Sequence, residues 1–175
     1  TKKKDAVIPN KKSVSFPTFQ QVVTQIAQTD YQDIITDLED WLEHRQFGQY
    51  VQLGAQIAGK AQIRTVKVCN KYPHLAFPAI DESGQIVGYQ HAQYPEGKLY
   101  KGWFKDSDTD SVLVIDQGSD IVFIVEAGAN AVAVSCLNYS TVALFSTSGV
   151  SNIPIIKALF PGKRLVLWLD RGAEE

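Results

Sequence analysis

Glu126 closes an unbroken apolar run, Ile121-Val122-Phe123-Ile124-Val125, and Ala127-Gly128-Ala129-Asn130 follows at once. Asp170 closes a second run, Leu165-Val166-Leu167-Trp168-Leu169, and is followed by Arg171 and Gly172. A carboxylate delivered by a buried strand to its C-terminal tip stands where open α/β sheets bind ligands and metals. Two such carboxylates on neighbouring tips suit Mg²⁺, a hard ion usually held by one or two carboxylates together with substrate phosphates and water. An ion there can stabilise charge on a reacting phosphodiester and orient an attacking hydroxyl. Between the two runs, Ser146-Thr147-Ser148-Gly149 offers backbone N–H groups and hydroxyls to a phosphate. Ser148 and Gly149 are the candidate phosphate contacts, with turn formation the other role open to Ser148. The plainer reading of Glu126 and Asp170 is a pair of strand-end acids that cap the helices after them.

These residues need elements to position them. After a polar break at Lys105–Asp110 the rhythm is strand, helix, strand, helix, strand. The strands are Ile121–Val125, Val142–Phe145 and Leu165–Leu169, and the helices Asn130–Leu137 and Ile153–Phe160. Ser151 or Asn152 is expected to cap the second helix, with Pro154 in its first turn, where a missing N–H costs nothing. Short apolar strands alternating with short helices predict a parallel sheet with helices on its faces. Right-handed crossovers then bring Glu126, the Ser146–Gly149 loop and Asp170 to one edge.

The front half reads differently. Residues 1–13 are polar, basic and without period, and are expected to form a flexible arm. Phe19, Val22, Val23, Ile26 and Ala27 recur at helical spacing, and so do Ile34, Ile35, Leu38, Trp41 and Leu42, with Asp30 or Asp33 as the cap of the second helix. The acidic residues from Asp33 to Glu43 read as its solvated face. Phe47–Gly59 is Gln- and Gly-rich and reads as a connector with room for a short third helix. Alternation begins at Gln62, and Asp81-Glu82-Ser83-Gly84 between two apolar runs predicts a β-hairpin, with a further strand near Leu99–Phe104. The organisation expected is an arm at 1–13, an α+β lobe of helices plus β-hairpin at 14–105, and an α/β domain with a parallel sheet at 111–175.

The totals restrict the function classes. With 175 residues, 45% of them hydrophobic, the chain can bury one substantial core. No apolar run approaches the ~20 residues of a membrane span. The chain opens on Thr and holds no Met, which predicts a processed or excised fragment. Cys69 and Cys136 are too few for a disulfide framework or a Cys-based zinc site and read as small buried hydrophobes in a reducing, cytoplasmic setting. His44, His74 and His91 show no ligand spacing and read as structural or exposed. The loop at 146–149 has no Lys and is no Walker A loop; no Gly-x-Gly-x-x-Gly fingerprint or nucleophile elbow is present. Net charge is −2, but residues 1–105 carry 13 Lys or Arg against 10 Asp or Glu, and residues 106–175 carry 4 against 9. A basic front and an acidic back suit phosphate binding by one part and metal binding by the other. Lys60, Arg64, Lys67 and Lys71, with Tyr72 nearby, are the candidate lining of a groove for a nucleic-acid strand, or else an ordinary solvated basic face.

Val125-Glu126-Ala127-Gly128-Ala129-Asn130, Val142 to Gly149, and Leu167-Trp168-Leu169-Asp170-Arg171-Gly172-Ala173 together resemble the TOPRIM domain. That domain is shared by bacterial-type DNA primases, type IA and type II topoisomerases, certain nucleases and a recombination protein. Trp41-Leu42-Glu43-His44-Arg45 and the hairpin Phe77–Gln90 resemble elements that precede the core in bacterial, phage and plasmid primases, so the resemblance spans roughly 35–175. It implies that Glu126 is the catalytic acid/base and shares metal binding with Asp170, the first member of an Asp-x-Asp pair. It also implies Mg²⁺ or Mn²⁺, single-stranded DNA template, nucleotides and a replicative helicase as partner, with no membrane. The sequence departs from the pattern at Gly172, where the second Asp belongs, and at Ala127, where Gly usually follows the glutamate. The chain ends at Glu175, just after the third strand, so the domain is expected to be truncated there. The function expected is Mg²⁺-dependent, primase-like nucleotidyl transfer on single-stranded DNA. The alternatives are a non-catalytic nucleic-acid-binding or assembly module, and a TOPRIM nuclease.

Overall fold

A computed structural model describes residues 15–68, 72–93 and 101–169. The first element is helix α1, Phe19–Ala27. Its start is fixed by Thr18 and Gln21, each side chain bonding the other's backbone N–H in a capping box. Helix α2, Tyr31–His44, starts at Asp30, whose carboxylate accepts from the Gln32 N–H at 2.8 Å; of the two caps expected from sequence, Asp30 is the one used.

The stretch read as a connector with room for a short third helix is mostly helix. A 3-10 turn, Gly48–Tyr50, runs into α3, Val51–Lys60. Its glycines, which made the sequence look loose, are packing positions. A Cβ on Gly54 would sit 2.8 Å from Leu42, and one on Gly59 would sit 2.9 Å from Ile35, so α3 lies tightly against α2. Both helices end alike. Gln46 and Gln62 take left-handed φ of 60°. The Phe47 and Ile63 N–H groups reach back to Leu42 and Ala58, and those of Gln46 and Gln62 to Glu43 and Gly59, the bonding of a Schellman motif.

The first sheet is antiparallel, in the order β1 (Arg64–Val68), β2 (Tyr72–Ile80), β3 (Ile86–Gln93) and β4 (Lys101–Trp103). The β2–β3 hairpin forms where the sequence predicts it. The Asp81 carboxylate accepts from the N–H groups of Ser83 and Gln85 and the Ser83 hydroxyl, and Gly84 supplies φ of +81°.

The second sheet joins β5 (Leu113–Ile115), β6 (Ile121–Val125), β7 (Ser140–Ala143) and β8 (Arg164–Leu167) in the order β5-β7-β6-β8. β6 is parallel to β7 and β8, but β5 is antiparallel to β7. The three strands expected from sequence are parallel, and the additional strand β5 makes the sheet mixed. Three residues, Leu113–Ile115, are too short a run to stand out by period. Helix α4 is Gly128–Ser135 and α5 is Ile153–Leu159, with a 3-10 turn over Thr147–Asn152 before α5. Asn152 stands at the cap position of α5 but makes no capping bond; its amide donates to the Ser111 carbonyl at 3.3 Å.

Alternation along β6 divides the apolar residues between two cores. Val125 and partly buried Phe123 join a large cluster with Leu38, Trp41 and Leu42 of α2, Ala55 of α3, Leu75 and Phe77 of β2, and Val132 of α4. Val122 and Ile124 join a smaller one with Ile156 of α5. Helices α4 and α5 thus cover opposite faces of the second sheet, as right-handed crossovers require. The large cluster draws on both sheets. They also meet through the backbone: Ile80, ending β2, and Val112, just before β5, exchange N–H···O bonds of 2.8 and 3.2 Å. The other face of the first sheet is covered by α1, through Val22 against Val66, Val68, Ala76 and Tyr89.

Candidate functional site

β6 lies between β7 and β8, so its tip is flanked on both sides. Val125 pairs with Ala143 and Ile124 with Leu167. The Leu144 N–H donates to the Val125 carbonyl at 2.9 Å, and the Trp168 N–H donates to the Ile124 carbonyl at 2.8 Å. Glu126 is the next residue, half-buried. Among the described residues no hydrogen bond or ion pair holds its carboxylate. The chain runs on from β6 to one neighbour through α4, then from β7 back across to the other through α5. By the general rule for open α/β sheets, such a reversal marks the crevice at the strand ends, and Glu126 follows directly on β6 there.

The turn after Glu126 explains the displaced glycine. A Cβ on Gly128 would lie 2.5 Å from the Phe77 ring, so the first turn of α4 fits only as glycine. Ala127 stands at the cap position of α4 without a side-chain cap.

Gly149 comes to the same edge. A Cβ there would meet the Leu144 carbonyl oxygen at 2.5 Å, and its N–H bonds the Ser146 carbonyl at 3.1 Å. The loop folds back onto the end of β7, and turn formation accounts for this glycine. For Ser148 only the backbone is described. Phe145, between β7 and this loop, has φ of +65°, unusual for a residue with a side chain. Its ring meets Trp103 of β4 edge-on at 5.2 Å, and its carbonyl accepts from the Gln90 amide of β3 at 3.4 Å.

Of the two acids, Glu126 is thus placed on the crevice; Asp170 lies outside the described residues, as does Gly172. Trp168, two residues before Asp170, is level with the β6 tip and packs its ring 5.8 Å from Phe123. Among the described residues no three His, Cys, Asp or Glu side chains converge to hold a metal.

The basic residues do not form one strip. Lys60 ends α3 and is exposed. Lys67 is exposed on β1, and Lys71 lies outside the described residues. Arg64 and Lys67 are three apart on a strand and project from opposite faces. Arg64 is committed to structure, because its guanidinium donates to the carbonyls of Gly59 at 2.8 Å and Ile63 at 2.9 Å. Burial lowers its pKa, and its Nε is buried without a partner. It ties the end of α3 to β1 and leaves Lys60 and Lys67 as the solvent-facing cations among the described members of the set.

Two histidines read as unrelated come together. His74 on β2 and His91 on β3 are both buried, with Nδ1 atoms 3.3 Å apart. Phe16 stacks on His91 at 4.6 Å, and Phe104 lies 4.8 Å from it. Burial lowers both pKa values, that of His91 to about 4, with the His74 charge adding to the effect. Their sequence separation of 17 hid the contact, because it depends on the hairpin register.

No family model matches the chain, and no curated protein matches it. Solved structures do. The primase fragment of the bacteriophage T7 primase-helicase matches with a TM-score of 0.54 at 16% identity, over 68% of this chain and 52% of that one. The fold is primase-like. A second match, with a TM-score of 0.53, again at 16% identity, covers 68% of this chain and 63% of the other. It comes from a complex of the T7 lagging-strand DNA polymerase with primase domains bound to an RNA/DNA hybrid and dTTP. The chain spans less than two thirds of the length of either neighbour. No helix among the described residues is long and apolar enough to cross a membrane.

Proposed function

We propose that the chain is the catalytic core of a DNA primase of the TOPRIM type, a Mg²⁺-dependent nucleotidyl transferase that acts on single-stranded DNA. The observation that carries this reading is Glu126, a carboxylate without a partner among the described residues, at the tip of the central parallel strand in a primase-like fold. Glu126 is the general acid/base for the attacking hydroxyl and, with Asp170, holds the metal. One or two carboxylates are what a Mg²⁺ ion asks of a protein when substrate phosphates complete its shell, so this small donor set fits. The ion, or Mn²⁺ in its place, supplies charge stabilisation at the transferring phosphoryl group. The loop around Gly149 faces negative charge on the nucleotide, and Lys60 and Lys67 give sequence-independent contacts to template phosphates. A replicative helicase is the partner that fits this role, as the T7 neighbour is itself a primase-helicase.

Glu126→Gln is expected to abolish primer synthesis on single-stranded DNA while leaving the melting temperature unchanged. Full synthesis by that variant sinks the proposal. Gly172, in place of the second aspartate, favours a second reading: a module that has lost metal binding and serves in nucleic-acid binding or assembly. Calorimetric titration with Mn²⁺ separates the two. Binding that is lost in Glu126→Gln supports the enzyme, and no binding in the parent chain supports the module.

A further inference from the structure

Beside the crevice, where the first sheet meets the tip of β7, lies a cavity of about 460 Å³. Gln90 and Trp103 are cross-strand partners in the β3–β4 register and so share the face turned toward the second sheet. Thr109 and Asp110 line it from the polar loop, and Phe145 and Ser151 from the other side. We propose that this cavity is a slot for the base and sugar of a nucleotide.

Five observations carry the assignment. The volume lies in the range of small-ligand sites, roughly 300–1,000 Å³. Trp103, braced edge-on by Phe145, gives the slot an aromatic wall, the surface on which bases of any identity stack. The Gln90 amide directs one N–H to the Phe145 carbonyl, which fixes its orientation and leaves a donor and an acceptor side by side for a base edge. Among the described residues the lining has no Lys or Arg, and Asp110 adds a carboxylate. Such a lining repels a phosphate and accepts a ribose hydroxyl. The left-handed Phe145 sits where slot and crevice join; backbone strain of this kind concentrates at ligand clamps. A nucleoside held here sends its phosphates outward, toward the strand tips.

The slot rests on the nucleotidyl-transfer reading for its substrate class but is tested by binding alone. The full chain is titrated by calorimetry with ATP, GTP, CTP and UTP, with inorganic tripolyphosphate, and with a short oligodeoxythymidylate. Two variants are compared, Gln90→Ala and Thr109→Tyr; the second fills the slot from an exposed loop position that carries no core contact. Both are expected to weaken nucleotide binding about tenfold or more and to leave tripolyphosphate binding unchanged. A tenfold loss for the oligonucleotide alone assigns the slot to a template nucleoside rather than a free nucleotide. Unchanged affinity for nucleotides and oligonucleotide in Thr109→Tyr overturns the slot, even if Glu126→Gln has lost synthesis. Full synthesis by Glu126→Gln overturns the catalytic reading and leaves the slot to stand or fall on the titrations.

Discussion

His74 and His91 lie buried side by side in the first sheet, with Nδ1 atoms 3.3 Å apart. Each was expected to be structural or exposed, and each is structural, but as an edge-to-face pair, with Phe16 stacked on His91 and Phe104 beside it. The pairing makes stability depend on pH. Burial holds their folded-state pKa values below the unfolded value near 6.5, with His91 at about 4. The unfolded chain therefore takes up more protons between those limits. Stability is full above pH 6.5 and declines as pH falls toward 4. At about 1.4 kcal/mol per unit of depression, the loss by pH 4 is roughly 1–3 kcal/mol. Urea midpoints at pH 4.5 and 7.5 measure it, and His91→Phe, which keeps the stack, is expected to flatten the difference. Gly128 makes a second residue-scale test. Gly128→Ala places a methyl group against the rigid Phe77 ring and is expected to cost about 1–3 kcal/mol in urea unfolding. Phe77→Leu in the same chain should return part of that loss.

Among the elements, α3 carries the clearest lesson. Gly54 and Gly59 broke its apolar period, so the sequence read as a connector, yet both are where the backbone of α3 presses closest to side chains of α2. The signal for its end was also concealed, because Gln62 occupies the left-handed position that glycine normally fills. Gln62→Gly is expected to raise stability by about 0.5–1 kcal/mol, seen as a higher urea midpoint at unchanged slope. The elements that sequence named correctly had strong local causes. Asp30 caps α2, Asp81 and Gly84 close the hairpin, and the unbroken run Ile121–Val125 forms a central strand buried on both faces. β5 escaped because three residues carry no period, and its antiparallel direction is set by pairing with distant β7. The same logic divides the site. The strand-tip position of Glu126 was legible because a strand-end acid is a local pattern, whereas Gln90, Trp103 and Phe145 meet only through the packing of two sheets.

At the scale of the molecule, the largest core is shared by α2, α3, α4 and both sheets. Its members are apolar. On the proposed reading EDTA abolishes primer synthesis and leaves the thermal melting curve where it was; a fall in melting temperature would make the ion structural. The shared core also predicts one cooperative transition, with tryptophan fluorescence and far-ultraviolet circular dichroism coinciding during urea unfolding. The reciprocal bonds between Ile80 and Val112 carry this further. They join the last residue of one sheet to the approach of the other, with Val112 buried. Neither amide can open unless the two sheets separate. In deuterated buffer both are expected to exchange only through global unfolding, as slowly as the amides within β6, although each stands outside the ladder of the other's sheet.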